Sequence, residues 1–151
     1  MIQRIQTLWL FLIVVCTVTS LLTPVGLFHQ DGIPVADFYN LCLIRADGTR
    51  SYAPWALFLL LALTSIASAT AIFLYKHRML QVRLCVFGGI LMIGYYAVWG
   101  VFVKVLSNQY NADYSLHWSV ALPAVALILF WLAFRGIMKD ELLIRSINRL
   151  R

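Results

Sequence analysis

Four long apolar runs, separated by short polar connections and one longer loop, constrain this chain more than any other feature of its sequence. They cover residues 7–27, 54–75, 84–106 and 116–135. Each holds about 20 residues or more, so at ~1.5 Å per residue each reaches roughly 30 Å as a helix, the thickness of a bilayer's hydrocarbon core. The expected fold is an all-α membrane protein: four transmembrane helices in an antiparallel bundle, one membrane domain spanning residues 1–151. With 62% hydrophobic and 12% charged residues, the composition is far from that of a water-soluble domain.

Charge placement orients the bundle. Of the 12 basic residues, nine flank one side of the runs: Arg4; Lys76, Arg78 and Arg83; Arg135, Lys139, Arg145, Arg149 and Arg151. Arg45 and Arg50 fall in the first long loop, Lys104 lies inside the third run, and residues 107–115 contain no Lys or Arg. By the positive-inside rule, both termini and the loop between runs two and three are cytoplasmic. Four of the six acids, Asp31, Asp37, Asp47 and Asp113, fall on the other side. The net charge of +6 is thus a topology signal, and no nucleic-acid partner is expected. The first residues look like the start of a signal peptide, but the apolar stretch is too long and no small-residue cleavage site follows, so an uncleaved first helix is expected. Cys16 and Cys85 fall in the runs and Cys42 alone faces outward, which leaves no outward pair for an intrachain disulfide.

Pro24 and Gly26 stand near the outer end of the first run, where a proline finishes a helix or bends it. In the extracytoplasmic loop, residues 28–53, the segment 37–45 is rich in strand formers and Asp47-Gly48 is a preferred hairpin-turn pair. This predicts a β-hairpin between helices 1 and 2. Strict alternation puts Phe38, Asn40, Cys42 and Ile44 on one face and Tyr39, Leu41, Leu43 and Arg45 on the other. The second run carries Thr64, Ser65, Ala67, Ser68, Ala69, Thr70 and Ala71, small residues that let helices approach closely in lipid; Gly89 and Gly100 share one face of the third and make a candidate packing groove. Pro123 is a candidate kink in the fourth. In the cytoplasmic tail, residues 136–151, Leu143, Ile147 and Leu150 recur at helical spacing, with Glu141, Arg145 and Arg149 on another side. A short amphipathic C-terminal helix is expected, lying in the headgroup layer or docking a protein.

Lys104 is the one charged side chain well inside a run, a candidate intramembrane functional residue, although its position near the outer end also lets it snorkel to the headgroups. His29, Asp31, Asp113 and His117 share the outer side, yet their spacing does not impose a metal site. No histidine falls mid-span for haem ligation, and no phosphate-binding loop, nucleophile elbow or zinc-protease motif occurs. No catalytic, cofactor-binding or metal residues are assigned, no cofactor is expected, and the chain is not expected to be an enzyme. The five tryptophans lie mostly toward run ends, as interface anchors do. The distinctive polar residues gather on the cytoplasmic side: Gln3, Arg4, Gln6, Lys76, Arg78, Gln81, Arg83, Arg145 and Arg149. They are the candidate contacts to anionic lipid headgroups or to a membrane-protein partner, and Gln81 is placed to tie the turn to Gln3, Gln6 or the tail.

Three segments on that side are distinctive together: Met1-Ile-Gln-Arg-Ile-Gln-Thr-Leu-Trp-Leu10, Ile72-Phe-Leu-Tyr-Lys-His-Arg-Met-Leu-Gln-Val-Arg-Leu84 and Asp140-Glu-Leu-Leu-Ile-Arg-Ser-Ile-Asn-Arg-Leu-Arg151. In these the whole chain resembles an uncharacterised bacterial four-pass membrane family, domain of unknown function four-two-nine-three. The resemblance implies a multi-pass protein of the inner membrane and supplies no activity, substrate or catalytic residue. The family pattern has Asn at the position of His77, which argues against a role for that histidine. The functional expectation is a non-enzymatic scaffold, accessory subunit or assembly factor that works through its basic cytoplasmic face. The alternative is a small transporter or lipid-handling protein acting through the bundle, with Lys104 facing a hydrated groove.

Overall fold

The computed structural model describes residues 2–30, 32–74 and 77–149, with side chains at all of these except 2–4, 141 and 143–149. The first helix, α1 (Ile2–Leu22), stops just short of Pro24, which has no N–H to continue the helical ladder. The chain goes straight on as β1 (Pro24–Gln30), so the end of the first apolar run is strand rather than helix. Then follow β2 (Ile33–Tyr39), β3 (Leu43–Arg45) and β4 (Arg50–Ser51), before α2 (Trp55–Phe73) and α3 (Arg78–Tyr110). Beyond α3 come β5 (Asp113–Leu116), a 3-10 turn (Trp118–Val120) and α4 (Ala121–Arg149).

The expectation of an all-α fold with one hairpin needs correction. The strands form a five-stranded antiparallel sheet in the order β4-β3-β2-β1-β5, with β1 running from the end of the first apolar run into the first loop, β2, β3 and β4 within that loop, and β5 after α3. The anticipated Asp47-Gly48 turn joins β3 to β4, but its loop has one residue more than a two-residue turn. Gly48 donates its N–H to the Arg45 carbonyl at 2.9 Å, Arg45 donates to the Thr49 carbonyl at 3.0 Å, and Gly48 sits at φ +81°, where a side chain would be strained. The Asp47 carboxylate accepts hydrogen bonds from the Thr49 N–H and hydroxyl at 2.8 and 2.6 Å, and these hold it below its ordinary pKa. Strict alternation also fails. A bend after Tyr39 resets the phase, so that Phe38 and Leu43 pair across β2 and β3 and both are buried, as is Asn40 between them.

The helices pack as a closed ring, α1 on α2, α2 on α3, α3 on α4 and α4 back on α1. All four are long and apolar enough to cross a membrane. Their outward faces carry large apolar side chains, among them Phe11, Ile66, Phe73, Ile90, Ile93 and Ile128. Inside, Leu10, Ile13, Leu57, Leu61, Met92 and Ala133 are fully enclosed, and α2 turns its small residues Thr64, Ala67, Ser68 and Ala71 inward as expected. On α3 the packing glycine is Gly88 rather than Gly89 or Gly100. A Cβ on Gly88 would collide with the Phe130 ring of α4, whereas one on Gly89 or Gly100 would meet nothing within 4 Å.

With 33 residues, α3 reaches roughly 50 Å, about 20 Å more than a hydrocarbon core, and its surplus stands beside the sheet. Pro123 falls in the first turn of α4, where its missing N–H costs no helical hydrogen bond and gives no reason for a kink. The tail helix is not a separate element: α4 continues through Gly136 to Arg149.

Candidate functional site

At the sheet end, polar side chains satisfy main-chain groups that the elements leave open. Asn40, fully buried, donates from Nδ2 to the Ser20 carbonyl at 2.7 Å, one of the last carbonyls of α1, which lack a helical partner. Its Oδ1 accepts the Tyr95 hydroxyl of α3 at 2.8 Å. The Ser119 hydroxyl donates to the Pro24 carbonyl, the Tyr114 hydroxyl to Val25 O at 3.0 Å and the Tyr96 hydroxyl to Val120 O at 2.6 Å. Rings continue the junction: Phe38, Phe28, Tyr114, Trp99, Tyr96 and Tyr95 follow one another with centroids 5.2–6.2 Å apart, mostly tilted or edge-on. Trp99 is thus internal, not an interface anchor. Burial pushes the Tyr114 phenol up to about 12, against a smaller opposing effect of Trp99.

On the outer edge, the Arg45 guanidinium donates to the Tyr110 hydroxyl at 2.6 Å and lies 5.2 Å from the ring centroid, tying β3 to the end of α3. His29 faces Asp113 across β1 and β5, while His117 stands at the other end of β5, its N–H donating to Val25 O at 3.2 Å. Asp31 lies outside the described residues. Among the described residues no three His, Cys, Asp or Glu side chains come together as a metal site. Lys104 is exposed on the outside of the bundle, 26 residues beyond Arg78 and so roughly 39 Å along α3, past the reach of a hydrocarbon core.

The middle of the bundle keeps its polar groups to itself. Thr17 and Ser68 donate to the carbonyls of Ile13 and Thr64 in their own helices at 2.9 and 2.7 Å, and Thr64 does the same to Leu60 at 2.8 Å. At the opposite end from the sheet, Gln6 Nε2 donates to Asp140 Oδ2 at 2.5 Å, a buried bond between α1 and α4. Gly136 lies against this pair; a Cβ there would stand 3.4 Å from Gln6 Cγ, an ordinary van der Waals contact. Gln81 is buried as well. These two expected surface contacts therefore face protein. Arg83, Arg135 and Lys139 are exposed and Arg78 half-buried. The side chains of Gln3, Arg4, Lys76, Arg145 and Arg149 lie outside the described residues. Sequence reasoning passed over Asp140 as a partner; its acidic side chain amid the bases of the last helix was the available signal.

Four helices long and apolar enough to cross a membrane, joined at one end to a five-stranded sheet and carrying a basic rim at the other, are consistent with a small membrane protein. The chain belongs to the family described as domain of unknown function (DUF4293), whose model matches residues 2–150. No curated protein matches it significantly.

Proposed function

We propose that this protein is a non-enzymatic scaffold, accessory subunit or assembly factor of a bacterial inner membrane, with its termini and basic rim in the cytoplasm and the sheet outside. The observation that supports this reading is a contrast at the basic end. Gln6 and Asp140 satisfy each other inside the bundle, whereas Arg78, Arg83, Arg135 and Lys139 have no carboxylate partner among the described residues. Free cations on a firmly packed end are suited to charge-assisted hydrogen bonds with the acids of a protein partner. The alternative, transport through the bundle, loses its key residue, because Lys104 faces out of the helices.

Capture from native membranes in mild detergent after brief crosslinking, followed by mass spectrometry, tests the proposal. It expects one stoichiometric protein partner, lost when Arg78→Gln and Arg83→Gln are combined while the bundle stays folded. Recovery of the protein without a partner, or a partner indifferent to both substitutions, would overturn it.

A further inference from the structure

A groove of about 500 Å³ opens to the outside between α3 and α4, in the half of the bundle remote from the sheet. Its floor includes Cys85, Gly89 and Phe130, and its rims include Ile90 on α3 and Ile128 and Trp131 on α4, so its lining is almost wholly apolar. The space over Gly89 is open, since a Cβ there would meet nothing within 4 Å. The size falls within the roughly 300–1,000 Å³ of ligand pockets. An apolar trough on the lipid-facing side of two membrane helices has the chemistry of an acyl chain.

The helix register places two cations at its basic end. Gly88 of α3 meets the Phe130 ring of α4, which sets the two antiparallel helices level at that point. Arg83 lies five residues from Gly88 toward the basic end and Arg135 five residues from Phe130 in the same direction, so each stands about 7.5 Å along its own helix beyond the contact. Arg83 is three residues from the rim residue Val86 and shares its helix face; Arg135 is four from Trp131, with its guanidinium carbon 5.4 Å from the indole centroid. Each wall of the groove thus ends in an exposed arginine free of any carboxylate among the described residues. Two guanidinium groups above an apolar trough match a phosphate followed by its acyl chains, with planar forks suited to phosphate oxygens.

We infer that this groove binds one anionic phospholipid, an acyl chain lying along Gly89 and Ile90 and the phosphate held between Arg83 and Arg135. The inference does not need the scaffold reading; the two share Arg83, and they are told apart by Arg135→Gln and Gly89→Leu, whose lipid retention is read with no protein partner present.

Native mass spectrometry of the full chain, delipidated in detergent and titrated with phosphatidylglycerol or phosphatidylcholine, tests it. The wild type is expected to retain one phosphatidylglycerol per chain at least about tenfold more strongly than phosphatidylcholine, the factor of one charge-assisted contact. Arg135→Gln and Arg83→Gln should each weaken phosphatidylglycerol about tenfold and leave phosphatidylcholine nearly unchanged. Gly89→Leu, whose side chain enters open space and fills the trough, should abolish retention of both, with circular dichroism and thermal unfolding confirming that each variant is folded. Equal retention of the two lipids by the wild type, or undiminished phosphatidylglycerol in Gly89→Leu or in both arginine variants, would overturn the inference. So would a dimer that Gly89→Leu dissociates while no lipid is retained, which would make a second copy the occupant.

Discussion

Asn40 shows how much one side chain secures at the junction of sheet and bundle. Its amide joins the end of α1 to the middle of α3 through Ser20 O and the Tyr95 hydroxyl, with no water surface in reach. Asn40→Ala removes the partner of a buried carbonyl and of a buried hydroxyl, at about 1–3 kcal/mol for each such group, so a loss of about 2–6 kcal/mol is expected in denaturant or thermal unfolding. Tyr95→Phe removes one donor and leaves only Asn40 Oδ1 without it, so the cost should be smaller, about 1–3 kcal/mol. Tyr114 gives a pH signature. Burial raises its phenol to about 12 from the ordinary 10, so the folded protein favours the neutral form. That contribution to stability is whole below about pH 10 and is lost as pH rises toward 12. Ultraviolet titration of Tyr114→Phe against the wild type should therefore remove a phenol that ionises late, near 12; removal of one that ionises near 10 would contradict its burial.

Among the elements, the helices were legible and most of the sheet was not, for physical reasons. Length and apolarity alone declare a span, and the small residues of α2 signal close packing without marking which side is packed, since they include exposed Thr70 as well as buried Ala67 and Ala71. The segment Pro24–Gln30 is apolar enough to pass for the end of a helix, because hydropathy does not separate a buried strand from a buried helix; Pro24 was the clue, and it did finish α1. A second Asp-Gly pair, Asp31-Gly32, lies between β1 and β2, with Gly32 at φ +79°, and reading it as a turn would have yielded another hairpin. Strand β5 has no comparable signal, since four residues find their partner more than 80 positions away on β1.

Helix contacts were likewise half visible: glycines on α3 pointed to close packing, but which of two adjacent glycines faces α4 depends on helix rotation. Gly88→Ala should destabilise by about 1–3 kcal/mol through its clash with Phe130, while Gly89→Ala should stay within about 0.5 kcal/mol of wild type, as thermal unfolding in one detergent can show.

At the scale of the molecule, hydropathy marks four helices long and apolar enough to cross a membrane and charge supplies a proposed orientation; contacts supply what both omit. Gln6 and Gln81 were read as surface contacts because they sit among arginines, yet the Gln6–Asp140 bond and the burial of Gln81 make them internal. Among the described residues, Arg83 and Arg135 are exposed and Arg78 is half-buried. The central claim is that one membrane separates the sheet from this rim, with the rim in the cytoplasm. Cysteine labelling tests it most directly. In a chain whose Cys16, Cys42 and Cys85 are replaced by Ala, Thr49→Cys at the sheet end and Lys139→Cys at the basic end are treated in intact inner-membrane cells, outer barrier permeabilised, with a membrane-impermeant maleimide. The account predicts that Thr49→Cys reacts at once and Lys139→Cys only after the inner membrane is opened. Labelling of both positions from one side, or the reverse order, would contradict it.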